Sequence, residues 1–288
     1  MSHDVWTSWS LQPPVLAGLA VAGWAYTRGV QRLWAGGRRR GVRPWQVASF
    51  VAGLVVLVVA LVSPIHTLSS ELLWVHMVQH VLLVVVAAPL VVLGAPLVPM
   101  TLALPMPWRR RIRSWARARL VRGAGSVLQR PITAWVVSVA ALWAWHVPPL
   151  YDLAVGNQVV HALEHLSFVA TAVLFWWAAF RPAPAGGLAG GLQVLFVFAA
   201  GVQSGALGAL LTFAGTPLYG PYVHTAMSWG LTPLQDQQLA GLIMWIPAGL
   251  VYFVAAAALF VRWLLSIERE VRKAEGQAGT LGLLGERP

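Results

Sequence analysis

Residues 71–97 read ELLWVHMVQHVLLVVVAAPLVVLGAPL, and this stretch decides the class of fold. After Glu71 it contains no acidic residue, lysine or arginine, and it exceeds the ~20 residues that a helix needs to cross the hydrocarbon core of a membrane. Two histidines, His76 and His80, interrupt the apolar run. The stretch therefore predicts a transmembrane helix with a functional pair, because ionisable groups inside a membrane are costly.

The rest of the chain has the same character. Its 288 residues are 58% hydrophobic and 10% charged, whereas soluble domains carry about a quarter charged residues. We predict an all-α, polytopic membrane protein whose single domain, residues 1–265, contains seven transmembrane helices. The predicted helices cover approximately residues 14–34, 46–64, 71–97, 131–149, 158–180, 191–215 and 237–265. The charged tail, residues 266–288, is predicted to be disordered beyond its first turns.

The basic residues indicate the orientation of these helices. All 20 lie in or beside the first, third and fifth connections or at the C-terminal end, and the N-terminus and the other connections have none. By the positive-inside rule the N-terminus is external and the C-terminal tail is cytoplasmic. The net charge of +11 thus follows topology, so it indicates a lipid bilayer and no nucleic-acid partner. Trp108, Ile112 and Trp115 recur at helical spacing among arginines and predict a short surface helix within residues 107–130.

The histidines predict a metal site near the external side. His76 and His80 form HMVQH, and His161 and His165 form HALEH at similar depth in another helix. Residues four apart share one helix face, so the two pairs supply four imidazoles as the predicted ligands. Glu164 is predicted mainly to orient a ligand imidazole. Secondary candidates are Met244, Asp236, Glu164, His146, His66 and Met77.

The identity of the metal stays open at this point. Imidazole suits copper, zinc, iron and nickel alike, and the chain has no cysteine that would favour a thiolate site. The thioether of Met244 would favour Cu(I) if it takes part. Asp236 is expected near the entrance of the site, or as the cap of the last helix. A membrane di-metal oxidoreductase with histidine boxes is an alternative.

Three longer segments that contain these residues resemble the CtaG-type cytochrome c oxidase assembly factors, a seven-helix bacterial membrane family. The likeness covers approximately residues 60–265 and rests on HMVQH, on the second histidine pair and on the string DQQLAGLIMW, which begins at Asp236. The segments are residues 63–96, 145–177 and 231–264.

This resemblance implies a multi-pass protein of the bacterial plasma membrane that helps to mature a haem–copper oxidase of the respiratory chain. The implied partners are the oxidase subunits, and the implied cofactor is copper, with zinc and iron still open. The implied role is assembly and metal handling rather than catalysis. Two alternative functions remain: the di-metal oxidoreductase, and a scaffold that binds oxidase subunits without any metal.

Overall fold

The computed structural model describes residues 8–35, 41–116, 130–181 and 189–285, together with residues 123, 127 and 128. Every regular element within these residues is a helix, as the sequence predicts. The helices are α1 (Pro13–Ala35), α2 (Pro44–Val62), α3 (Pro64–Leu68), α4 (Leu73–Leu93), α5 (Leu97–Ala103), α6 (Met106–Ala116), α7 (Pro131–Trp145), α8 (Pro148–Gly156), α9 (Gln158–Phe180), α10 (Gly190–Phe213), α11 (Tyr222–Ser228) and α12 (Pro233–Gly285).

Five of the described helices are long and apolar enough to cross a membrane, namely α2, α4, α9, α10 and α12. α7 and α8 make a sixth span if they are taken together, although they meet at a 75° bend. α1 coincides with the first predicted span but does not meet the same criterion of length and composition. The count of seven and the orientation of the termini therefore stay predictions.

Prolines shift several predicted boundaries. The span expected at residues 131–149 ends at Trp145, because Pro148 and Pro149 begin the new helix α8. The span expected at residues 71–97 ends at Leu93, and α5 follows after a short turn.

At the C-terminal end of the chain α12 continues to Gly285, whereas disorder was predicted for the tail beyond its first turns.

α4 lies at the centre of the bundle, where it packs against α2, α9 and α12. Two residues beyond His80 its backbone begins a π-helical segment, Leu82–Ala87. Pro89 follows this segment and cannot donate a hydrogen bond to the preceding turn, which accounts for the irregular hydrogen-bonding pattern there. The histidine pair thus lies on the regular half of α4, and the widened turn follows it.

The predicted surface helix within residues 107–130 corresponds in part to α6. Trp108, Ile112 and Trp115 are exposed on it, and the Arg111 guanidinium lies over the two tryptophan rings at 5.8 and 5.4 Å. Most of residues 117–129 lies outside the described part of the chain.

α10 and α12 approach each other through glycine. A Cβ atom added to Gly208 would lie 2.7 Å from the Gly241 carbonyl oxygen, and one added to Gly241 would lie 2.5 Å from the Gly208 carbonyl oxygen. Gly208 and Gly241 thus allow the two helix backbones to come into contact. Such contacts replace the hydrophobic effect as the force between helices in lipid.

We expect Gly241→Ala to lower the thermal stability of the purified protein, by about 1–3 kcal/mol, because two helix backbones must separate to admit the methyl group. Gly249→Ala on the same helix is the matched control, since a Cβ there meets no atom within 4 Å. Equal melting temperatures for the two variants would contradict the glycine contact as a determinant of this packing.

Candidate metal centre

Four buried side chains from two helices converge in the interior of the bundle. α4 contributes His76 and His80, and α9 contributes Glu164 and His165. One candidate ligand atom from each of them lies within 4.8 Å of the other three. The HxxxH spacing places both histidines of α4 on one helix face, which is turned toward α9.

The donor atoms of this group lie close enough together to share one ion. His76 Nε2 lies 2.8 Å from His80 Nε2. Glu164 Oε1 lies 3.6 Å from His80 Nε2, and Glu164 Oε2 lies 4.0 Å from His76 Nε2. Two nitrogens at about 2.0–2.1 Å from a metal, at right angles, are about 2.9 Å apart. The 2.8 Å separation is that of a hydrogen bond between the two rings, and a slightly wider separation would let both Nε2 atoms bind one ion.

The Glu164 carboxylate is the group of this cluster whose burial costs the most free energy. It is 0% exposed, and neither oxygen has a hydrogen-bond partner among the described residues. His80 Nδ1 and His165 Nε2 are buried without partners as well. An ionised carboxylate costs several kcal/mol to hold in such an interior unless a cation or hydrogen bonds compensate it. The group therefore has the donor atoms for a cation, and a bound cation would compensate the ionised form of the carboxyl.

The tautomer of His76 follows from its hydrogen bonds. The Tyr222 hydroxyl donates to the Ser69 carbonyl at 2.9 Å, so its oxygen accepts from His76 Nδ1, also at 2.9 Å. Burial raises the pKa of Tyr222 well above its usual value, which keeps the hydroxyl protonated. Nδ1 of His76 thus carries the proton, and the lone pair of Nε2 points to the cluster. This is the arrangement by which an outer hydrogen bond orients a ligand imidazole.

Three of the four predicted ligands, His76, His80 and His165, belong to the group. His161 lies one turn away, with its ring centroid 4.2 Å from that of His165 and 5.2 Å from that of His76, but outside the four-residue group. Glu164, predicted mainly to orient an imidazole, takes its place.

The other candidate histidines make hydrogen bonds of their own. His146 Nδ1 donates to the Leu142 carbonyl at 2.6 Å, and its ring centroid lies 6.1 Å from that of His80. His66 lies between two amides, with its nitrogens 2.6 Å from Gln12 Nε2 and 3.1 Å from Gln79 Nε2. Burial lowers the pKa of His66, so it is neutral at pH 7.

The two methionines lie outside the four-residue group. Met77 and Met244 are buried in an apolar cluster with Leu73, Tyr151 and Tyr222. Met244 also lines a small interior cavity that His80 and His146 share.

Asp236 differs from both expectations. Its carboxylate is 0% exposed and accepts hydrogen bonds from the backbone N–H groups of Leu73 at 2.9 Å and Trp74 at 3.0 Å. It therefore caps α4 rather than its own helix, and it does not line an entrance. The first N–H groups of a helix have no partner within the helix, and a carboxylate there also complements the helix dipole.

Sequence reasoning missed two further contributors. Tyr222 has no neighbouring motif that would mark it as a partner of His76. Gln79, within HMVQH, donates to the Ala60 carbonyl at 2.7 Å and thereby ties α4 to α2. Its position between the two histidines was the signal available for it.

The fold and this cluster define a helical membrane protein with a buried histidine–glutamate centre. The chain belongs to the cytochrome c oxidase caa3 assembly factor family, whose family model matches residues 24–266.

The chain is also similar to longer mycobacterial proteins. It is 28% identical over 300 residues to uncharacterized proteins of Mycobacterium bovis and Mycobacterium tuberculosis, an alignment that covers 96% of this chain and 44% of each relative. A Mycobacterium leprae protein is 26% identical over 274 residues, which is 89% of this chain and 40% of that protein. The chain thus spans less than half the length of these relatives. No solved structure matches it significantly.

We expect Asp236→Ala to destabilise the protein by about 1–3 kcal/mol, because two buried N–H groups at the start of α4 lose their acceptor. Thermal unfolding in detergent measures this loss, with Gln238→Ala as the control two positions further along α12. An unchanged melting temperature for Asp236→Ala would contradict the capping role.

Proposed function

We propose that this protein holds a copper ion at His76, His80, Glu164 and His165 while a haem–copper oxidase is assembled. The observation that carries the proposal is the convergence of four buried donor groups within 4.8 Å. Membership of the assembly factor family supports the oxidase as the process served. The partners would be oxidase subunits, within the bilayer of a bacterial plasma membrane.

The charge balance supports a resident cation. Glu164 is buried among imidazoles, and no arginine or lysine pairs with it among the described residues. A monovalent or divalent cation at this point would compensate the carboxylate, as buried charges in proteins require. Without a cation the carboxylate would have to take up a proton instead.

The chemistry of the donors supports transient binding. Imidazoles and one carboxylate bind copper, zinc and iron, and the chain has no cysteine to hold the ion more firmly. A protein that passes its ion to a client must release it, and a thiolate-free centre favours exchange. Copper is preferred over zinc and iron because the process of the family is the assembly of an oxidase that contains copper.

Topology supports delivery from the outer side. The distribution of the arginines predicts an external N-terminus, which would place this end of α4 and α9 toward the outside. His146 and Met244, beside His80 at the small interior cavity, are candidates for a secondary position of the ion.

The test is the metal content of the purified protein after separate loading with Cu(I), Zn(II) and Fe(II). We expect wild type to retain copper, and Glu164→Gln and His80→Ala to bind it at least about tenfold more weakly. Glu164→Gln keeps the shape of the side chain and removes a buried charge, so misfolding would not explain a loss of copper binding in this variant. His224→Ala is the control, because His224 is exposed outside the group.

The same variants are then tested for oxidase activity in membranes of a strain that lacks the wild-type protein. We expect activity to fall with Glu164→Gln and His80→Ala and to persist with His224→Ala. Copper content and oxidase activity that both match wild type in Glu164→Gln would contradict the proposal. Two equivalents of iron with oxygen turnover would indicate the di-metal oxidoreductase, and normal activity without bound metal would indicate the scaffold.

A further inference from the structure

A polar opening leads from the protein surface to the buried cluster. It has a volume of about 300 Å³, and its lining includes the exposed residues Ser70 and Gln158 and the buried His76. The opening therefore joins the surface to one of the four clustered donors. Ser10, Thr67 and His161 also line it.

His161 occupies the position between this opening and the cluster. It lines the opening, while its ring lies 5.2 Å from that of His76 and 4.2 Å from that of His165, centroid to centroid. Its Nε2 atom is buried and has no hydrogen-bond partner among the described residues. An imidazole nitrogen without a partner, next to two clustered histidines, is suited to hold an ion on its way inward.

His66 lines the same opening but has a different environment. Its ring stacks on that of His161 at a centroid distance of 5.9 Å, and both of its nitrogens face amides, those of Gln12 and Gln79. Each nitrogen lies within hydrogen-bond distance of an amide, so His66 is less available to an ion than His161 and forms a wall of the opening. His161 is the histidine outside the group that can accept an ion here.

We propose that this opening is the uptake route of the copper ion and that His161 is a transfer ligand. The inference rests on the proposed function and deepens it. The ion exchanges one bond to its carrier in solution for a bond to His161 Nε2. It then exchanges the bond to His161 for one to His76, and a remaining bond to the carrier for one to His165. Each step breaks one metal–ligand bond as another forms, with no change of oxidation state, and His161 returns to its free form.

The first experiment uses the absence of cysteine in the chain. Ser70→Cys introduces one thiol at the rim of the opening, and a bulky methanethiosulfonate reagent then obstructs it. Ser228→Cys is the matched control: this residue is exposed on α11, whose Tyr222 contacts His76 at the same end of the bundle, and it does not line the opening. The uptake of Cu(I) from a chromophoric chelator is followed by stopped flow.

We expect the label on Ser70→Cys to slow copper uptake at least about tenfold, and the label on Ser228→Cys to leave the rate unchanged. Final copper content should equal that of wild type in both proteins, because the label does not touch the four-residue group. Equal uptake rates in the two labelled variants would overturn the route.

The second experiment separates a transfer ligand from a permanent one. His161→Ala should slow both uptake and release at least about tenfold, with less than a tenfold change in equilibrium affinity. A loss of affinity as large as that of His80→Ala would overturn the transfer role and make His161 a permanent ligand. Wild-type rates in His161→Ala would remove His161 from the route.

These outcomes differ from a failure of the proposed function. If wild type itself takes up no copper, both proposals fall. If wild type binds copper and the obstructed protein loads at the same rate, only the uptake route is overturned.

Discussion

A carboxylate buried between imidazoles is the constraint on which this structure depends. Glu164 has no hydrogen-bond partner among the described residues, and its oxygens face His76 and His80 at 4.0 and 3.6 Å. Keeping such a group in the interior of a membrane bundle is costly, and polar groups retained there generally serve a function. A bound cation would provide the compensation that the described protein groups do not, and this is why we propose metal handling rather than a purely structural role for the cluster.

Two contacts from outside the cluster hold α4 in place. Asp236 caps the first turn of α4 from the start of α12, and Tyr222 fixes the ring and the tautomer of His76. Both residues come from the segment between α10 and the first turn of α12. The geometry of the donors thus depends on a connection that itself contains no ligand. Substitutions in that connection should displace α4 and thereby move His76 and His80.

The sequence predicts the helical class and three of the four clustered residues, because HxxxH spacing alone puts both members of each pair on one face. It does not decide between His161 and Glu164. The two are three residues apart on α9 and both neighbour His165, so the rotation and tilt of α9 determine which side chain enters the group. Asp236 was beyond sequence reasoning for another reason: its partners, Leu73 and Trp74, lie more than 160 residues away in the chain.

X-ray absorption at the copper edge of the loaded wild-type protein, reconstituted in lipid, tests the central claim most directly. We expect a first shell of nitrogen and oxygen, with the outer scattering of the three clustered imidazoles and no sulfur. A shell dominated by thioether sulfur, or copper surrounded only by water oxygens, would contradict a centre built from His76, His80, Glu164 and His165.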